Sequence, residues 1–109
     1  MRFKAIVLKI SFLWVDGMAI FPFIFVKKSK NDSVLLNHEL IHLRQQLEMG
    51  IFLFYGWYLL EYTLRLIAYQ NHFEAYYNIS FEREAFRNEH DLEYIQKRSF
   101  WQFLKYLKA

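Results

Sequence analysis

His38, Glu39 and His42 stand in the run HELIH, within a segment whose leucines at 36, 40, 43 and 47 recur at helical spacing. Histidines four positions apart on a helix lie one turn apart on one face, where both imidazoles can reach a single ion. Glu39, beside the first of them, leans toward the same ion and can take a proton from a zinc-bound water that attacks a carbonyl. Zinc lowers the pKa of such a water toward ~7, and the carboxylate then passes the proton to the leaving amine. The competing reading is a pair of surface histidines on an ordinary helix, since so short a pattern also arises by chance.

A catalytic zinc takes three protein ligands and keeps one position open, so a third ligand is required. The chain has no cysteine, which leaves histidine and carboxylate donors. Two glutamates compete. Glu82 opens a later helix in FEREA, residues 81–85, whereas Glu61 lies inside a hydrophobic stretch with Arg65 four positions on as a ready ion-pair partner. That pairing favours Glu82 as the ligand. Glu84 should point elsewhere on its helix. His72 and His90 lack a partner at ligand spacing and read as surface or loop residues. Gln45 could orient a ligand, although it and Gln46 read first as a solvated polar face.

The elements that must position these residues follow from turn signals and periodicity. After the loop KKSKNDS, residues 27–33, Asp32 or Ser33 caps a helix from about Val34 to Met49, and Gly50 turns or kinks it. Upstream, residues 2–10 and 18–28 are rich in Ile, Val and Phe. Asp16-Gly17 between them suits a tight turn of positive φ, so a hairpin is predicted. Pro22 lacks a ladder donor and places the second strand at an edge. The stretch Phe21 to Val26 would then guide an extended peptide by strand addition.

Downstream, residues 51–69 are the most hydrophobic segment, near the minimum length of a membrane span. The first reading is a buried core helix, with membrane contact second. A span would carry the chain across ~28 Å, and residues 70–79 are too few to bring Glu82 back to His42. A helix from Ser80 or Phe81 to about Gln96 and a short one from Ser99 to Leu107 complete the chain. The last presents Phe100, Phe103, Leu104 and Leu107 on one face. It either closes the core or, being basic, lies on an anionic membrane.

A length of 109 residues suits a single domain, 1–109. Hydrophobic residues at 55% exclude disorder, and their abundance leaves apolar surface for a partner, a lipid surface or a second copy. The net charge is +3 and the basic residues are scattered without a reading motif, which argues against nucleic acid. Lys9 interrupts the apolar N-terminal run and no cleavage pattern follows, so that run reads as structure. The lack of cysteine fits a reducing, cytoplasmic setting, with peripheral membrane contact as an added expectation.

HELIH followed by a helix bearing Glu82-Arg83-Glu84-Ala85 resembles the gluzincin group of zinc metallopeptidases, especially its small single-domain members and short bacterial proteins with a zincin-like site. The resemblance covers residues 18–86 and rests on those two motifs. It implies an α+β, zincin-like fold with a small N-terminal hairpin or edge sheet followed by three to four helices. It also implies Zn2+ held by His38, His42 and Glu82, Glu39 as general base, and a peptide or protein substrate. Many members carry an Asp four positions after the ligand Glu to orient a histidine. Phe86 stands there in this chain, so that partner must come from elsewhere or be absent. In some aminopeptidase-like members the third ligand falls nineteen positions after the second histidine, where this chain has Glu61. The rival expectation is a non-catalytic zinc-binding or membrane-associated interaction module.

Overall fold

The computed structural model describes residues 5–13 and 15–108 as an α+β arrangement of three short strands, five helices and one 3-10 helix. Strands β1 (Ile6–Lys9), β2 (Gly17–Ile20) and β3 (Phe23–Val26) form one sheet in the order β1-β3-β2. β3 pairs antiparallel with β2 and parallel with β1. The predicted hairpin between 2–10 and 18–28 is therefore replaced. Its second segment is itself a hairpin turning at Phe21-Pro22, a cis peptide, and β1 adds to the far side. The local pairing closes almost no loop and so is favoured over the longer connection. Pro22, with no ladder donor, sits in the turn where none is needed.

Two expectations fall with that hairpin. Gly17 begins β2 without a positive φ, which among the described glycines belongs to Gly50. β3 is the central strand, paired on both sides, so the stretch Phe21–Val26 offers no edge to a peptide. Residues 2–4 of the expected first strand lie outside the described residues.

Helix α1 (Ser33–Met49) starts where the Asp32 carboxylate accepts the Leu35 amide at 3.0 Å. It stops at Gly50, whose φ of 81° suits glycine and whose amide donates to the Gln46 carbonyl at 2.7 Å. α2 (Ile51–Tyr69) begins at the next residue. α3 (His72–Tyr77), unexpected from the sequence, is capped by the Asn71 side chain, which accepts the Glu74 amide at 3.0 Å. α4 (Ser80–Asn88) and α5 (Tyr94–Lys97) replace the single helix expected to Gln96. The break has a visible cause: the Asn37 side-chain amide donates to the carbonyls of Asn88, Glu89 and Asp91 at 3.3, 2.8 and 3.0 Å. A helix running on through this segment would need those acceptors itself. The chain ends in a 3-10 helix, Gln102–Tyr106, in place of the expected helix 99–107.

Met49, Phe54, Ile79, Phe81 and Phe103 form one apolar cluster, and Ala19, Ile24, Val26 and Leu43 another under the sheet. α1 runs through the interior with Asn37, His38, Glu39, His42, Gln45 and Gln46 buried. α2 buries only Phe54 and Glu61 and exposes Phe52, Leu53, Leu59, Leu60, Leu64 and Ile67. Among the described residues no helix is long and apolar enough to cross a membrane.

Phe81 is fully buried, its ring 4.5 Å from Phe54 and 4.6 Å from Phe103. Phe81→Ala is therefore expected to lower the unfolding free energy by about 3–5 kcal/mol in urea titrations. A loss below about 1 kcal/mol would show that this cluster does not anchor α4.

Candidate metal centre

α1 turns His38 and His42 toward the first turn of α4, where Glu82 waits. His38 Nε2 and His42 Nε2 each lie 3.0 Å from Glu82 Oε1, and 3.2 Å from one another. A tetrahedral zinc with bonds of ~2.0–2.1 Å separates its ligand atoms by about 3.3 Å. The three atoms thus form a nearly equilateral triangle of the size such an ion requires, and all three residues are buried.

Hydrogen bonds behind the triangle fix which nitrogen faces it. His38 Nδ1 is 2.8 Å from Glu89 Oε1, and His42 Nδ1 is 2.8 Å from Gln45 Oε1. The Gln45 amide cannot be turned round, because its nitrogen donates to the Phe81 carbonyl at 3.2 Å and to Glu84 Oε1 at 3.0 Å. Both partners of the Nδ1 atoms are acceptors, so in the neutral rings both Nδ1 atoms carry hydrogen and both Nε2 lone pairs point inward. Glu82 is steadied likewise, Tyr58 donating its hydroxyl to Oε2 at 2.7 Å.

The same residues are coupled electrostatically. Burial opposes charge on His42, but the Glu82 carboxylate, helped by Glu39, outweighs it and pushes the pKa up to about 9. Burial would raise Glu82, but His42 and His38 outweigh that and hold it well below the usual carboxylate range. Glu39 is different: burial dominates and raises it. Among the described residues no donor reaches its carboxylate. It lies against Gly17, where an added Cβ would come within 3.1 Å of Glu39 Oε2 and 3.0 Å of Leu35 Cδ1. A side chain at 17 would press on both. Tyr76 is raised by burial and by the charges of Glu82 and Glu39, which marks its phenol as a neighbour of the same site.

Of the residues singled out in the sequence, His38, His42 and Glu82 converge, and Glu39 lies beside them. Glu61 stays away: it accepts the Ser80 amide at 2.9 Å, the Ser80 hydroxyl and the Trp57 indole, and so serves as the missing N-terminal cap of α4. Glu84 points away as expected, fully buried with Arg98, Tyr94 and Gln45 as donors. His90 is exposed, and His72 meets the Tyr62 hydroxyl at 2.8 Å.

Gln45 and Gln46, expected in solvent, are buried. Gln46 behaves as a strand neighbour to the hairpin, accepting the Phe21 amide at 2.7 Å and donating to the Ala19 carbonyl at 2.8 Å. The residues sequence reasoning missed are Glu89 and Tyr58. Glu89 stands two turns after Glu82, and Phe86, one turn after it, packs edge-on against the His38 ring at 4.5 Å. Glu89, one turn beyond Phe86, is the carboxylate that meets His38 Nδ1.

Comparison with protein-family models, curated proteins and solved structures finds no match to this chain.

The raised His42 has a measurable consequence in chelator-treated protein. Its folded pKa of about 9 lies above the ordinary value of 6.5, so the folded state binds the extra proton between those limits. The stability from this pair is fully present below pH 6.5 and is lost as the pH rises through about 9. Urea midpoints should fall across that window in wild type and change less in His42→Gln. Equal slopes would contradict the coupling.

Proposed function

We propose that the chain is a zincin-like, zinc-dependent peptidase domain in which His38, His42 and Glu82 hold one Zn2+ and Glu39 is the general base. The observation that carries this reading is the triangle of two inward lone pairs and one carboxylate oxygen, supported by the bonds to Glu89, Gln45 and Tyr58. When bound, zinc lowers the pKa of a water toward ~7 and polarises a carbonyl. Glu39, buried and without a donor among the described residues, has its pKa raised by burial and is placed to take a proton and return it to the departing amine.

Substrate guidance passes to β2, an edge strand. Lys27 donates its amide to the Asp16 carbonyl at 3.0 Å, so strand alternation turns the backbone groups of Gly17 and Ala19 outward. Ala19 and Phe21 are already engaged by Gln46, and the Tyr55 hydroxyl also donates to Ala19 at 2.6 Å. A peptide pairing here has only a short length of strand to follow.

A second reading, compatible with the first, is peripheral membrane contact, favoured by the exposed face of α2 that includes Leu59, Leu64 and Ile67. Vesicle flotation abolished by Leu59→Ser/Leu64→Ser supports it, and wild type remaining wholly unbound contradicts it.

The main reading predicts about one zinc per purified chain by elemental analysis, lost in His38→Ala and Glu82→Ala. Gln45→Leu should weaken zinc binding about 10–100-fold, because it frees the His42 ring from its support. Glu39→Gln should keep the metal and cut cleavage of a mixed peptide library by roughly 10²–10⁴-fold. A zinc-loaded wild type that cleaves no peptide would identify a non-catalytic zinc module instead.

A further inference from the structure

The basic residues that look scattered along the chain are gathered by the fold. A cleft of about 660 Å³ is lined by Arg83, Arg87, Lys105 and Lys108, with Tyr77 and Tyr106 among its walls and no carboxylate among the described residues that line it. It lies behind the candidate metal centre, with Phe86 as the common wall: that ring lines the cleft and packs on His38.

Among the described residues no cation of the cleft has a carboxylate as a hydrogen-bond or ion-pair partner. Arg83 is held by neutral acceptors, its Nε and Nη2 donating to Asn78 Oδ1 at 3.3 and 2.9 Å and its Nη1 to the carbonyls of Tyr106 and Leu107 at 2.8 and 3.3 Å. Burial and the nearby charge of Arg65 together pull its pKa below the ordinary value, although the charge of Glu61 works the other way. The Arg87 guanidinium lies 5.8 Å from the centre of the Tyr106 ring, a cation–π placement that leaves its N–H groups available. Among the described residues neither Arg87, Lys105 nor Lys108 forms an ion pair.

Four like charges around one opening repel one another, and a single carboxylate would match only one of them. A phosphate group carries up to two charges and accepts hydrogen bonds in several directions at once, which suits an arginine fork together with mobile lysine ammoniums. We propose that this cleft is a binding site for a phosphate-type dianion, either free phosphate or the headgroup of a phosphomonoester lipid. The site is separate from the proposed zinc chemistry and stands whether or not that chemistry does.

The test uses the full chain with two probes. The first is inorganic phosphate titrated calorimetrically at low salt. The second is sedimentation with phosphatidylcholine vesicles, with and without phosphatidic acid. Arg87→Gln/Lys105→Gln removes two cations that support no described backbone bond, so an unchanged thermal midpoint confirms that the variant is folded. Saturable phosphate binding, weakened at least about tenfold in the variant and further by added salt, supports a free-phosphate site. Binding only to vesicles containing phosphatidic acid, lost in the same variant, supports the same cleft with a lipid source. Glu39→Gln should bind as wild type does. No saturable binding to either probe, or equal binding by the variant, overturns the proposal.

Discussion

Two imidazole nitrogens and one carboxylate oxygen that direct their lone pairs at a common point repel one another unless a positive charge sits between them. The pieces that hold α1 against α4 keep those atoms together despite that repulsion. Asn37 gathers the carbonyls at the end of α4 and so brings Glu89 to His38. Glu61 caps the start of α4 and fixes the turn from which Glu82 projects. Arg98 and Tyr94 saturate Glu84, which holds the Gln45 amide in the one orientation that supports His42. His38, His42 and Glu82 thus each have a supporting hydrogen bond, with Glu89, Gln45 and Tyr58 respectively.

This arrangement inverts the usual distribution of polarity. The largest set of buried polar side chains is on α1, whereas the most apolar helix, α2, presents a face of Phe52, Leu53, Leu59, Leu60 and Leu64 outward. A buried polar helix is tolerable because its groups find partners: backbone of the hairpin for Gln46, carbonyls for Asn37, carboxylates for the histidines. Among the described residues two groups of this helix stand apart: Arg44 Nη1 is buried without a partner, and the Glu39 carboxylate meets no donor.

Much of the centre was legible in the sequence because its signals are local. The four-residue spacing of His38 and His42, the Asp32 cap and the ion-pair partner of Glu61 each lie within a helical turn or two, and they pointed to His38, His42 and Glu82. The sheet was not legible in the same way. Its parallel β1–β3 pairing is non-local, and the Asp16-Gly17 turn signal competed with an equally local turn at Phe21-Pro22. Gln45 and Gln46 read as solvent-facing because composition alone does not reveal that strand edges and carboxylates will meet them. Glu89 escaped notice since its helix ends just before it, at a break made by a residue 52 positions away. The basic cleft likewise depends on α4 and the terminal 3-10 helix meeting side by side.

The most direct test of the centre is X-ray absorption at the zinc edge of metal-loaded protein. The account predicts a first shell of nitrogen and oxygen at about 2.0–2.1 Å with the outer-shell scattering of two imidazoles. In His42→Ala the bound zinc, and with it this scattering, should be lost. A shell without histidine scattering, or one identical in wild type and His42→Ala, would contradict it.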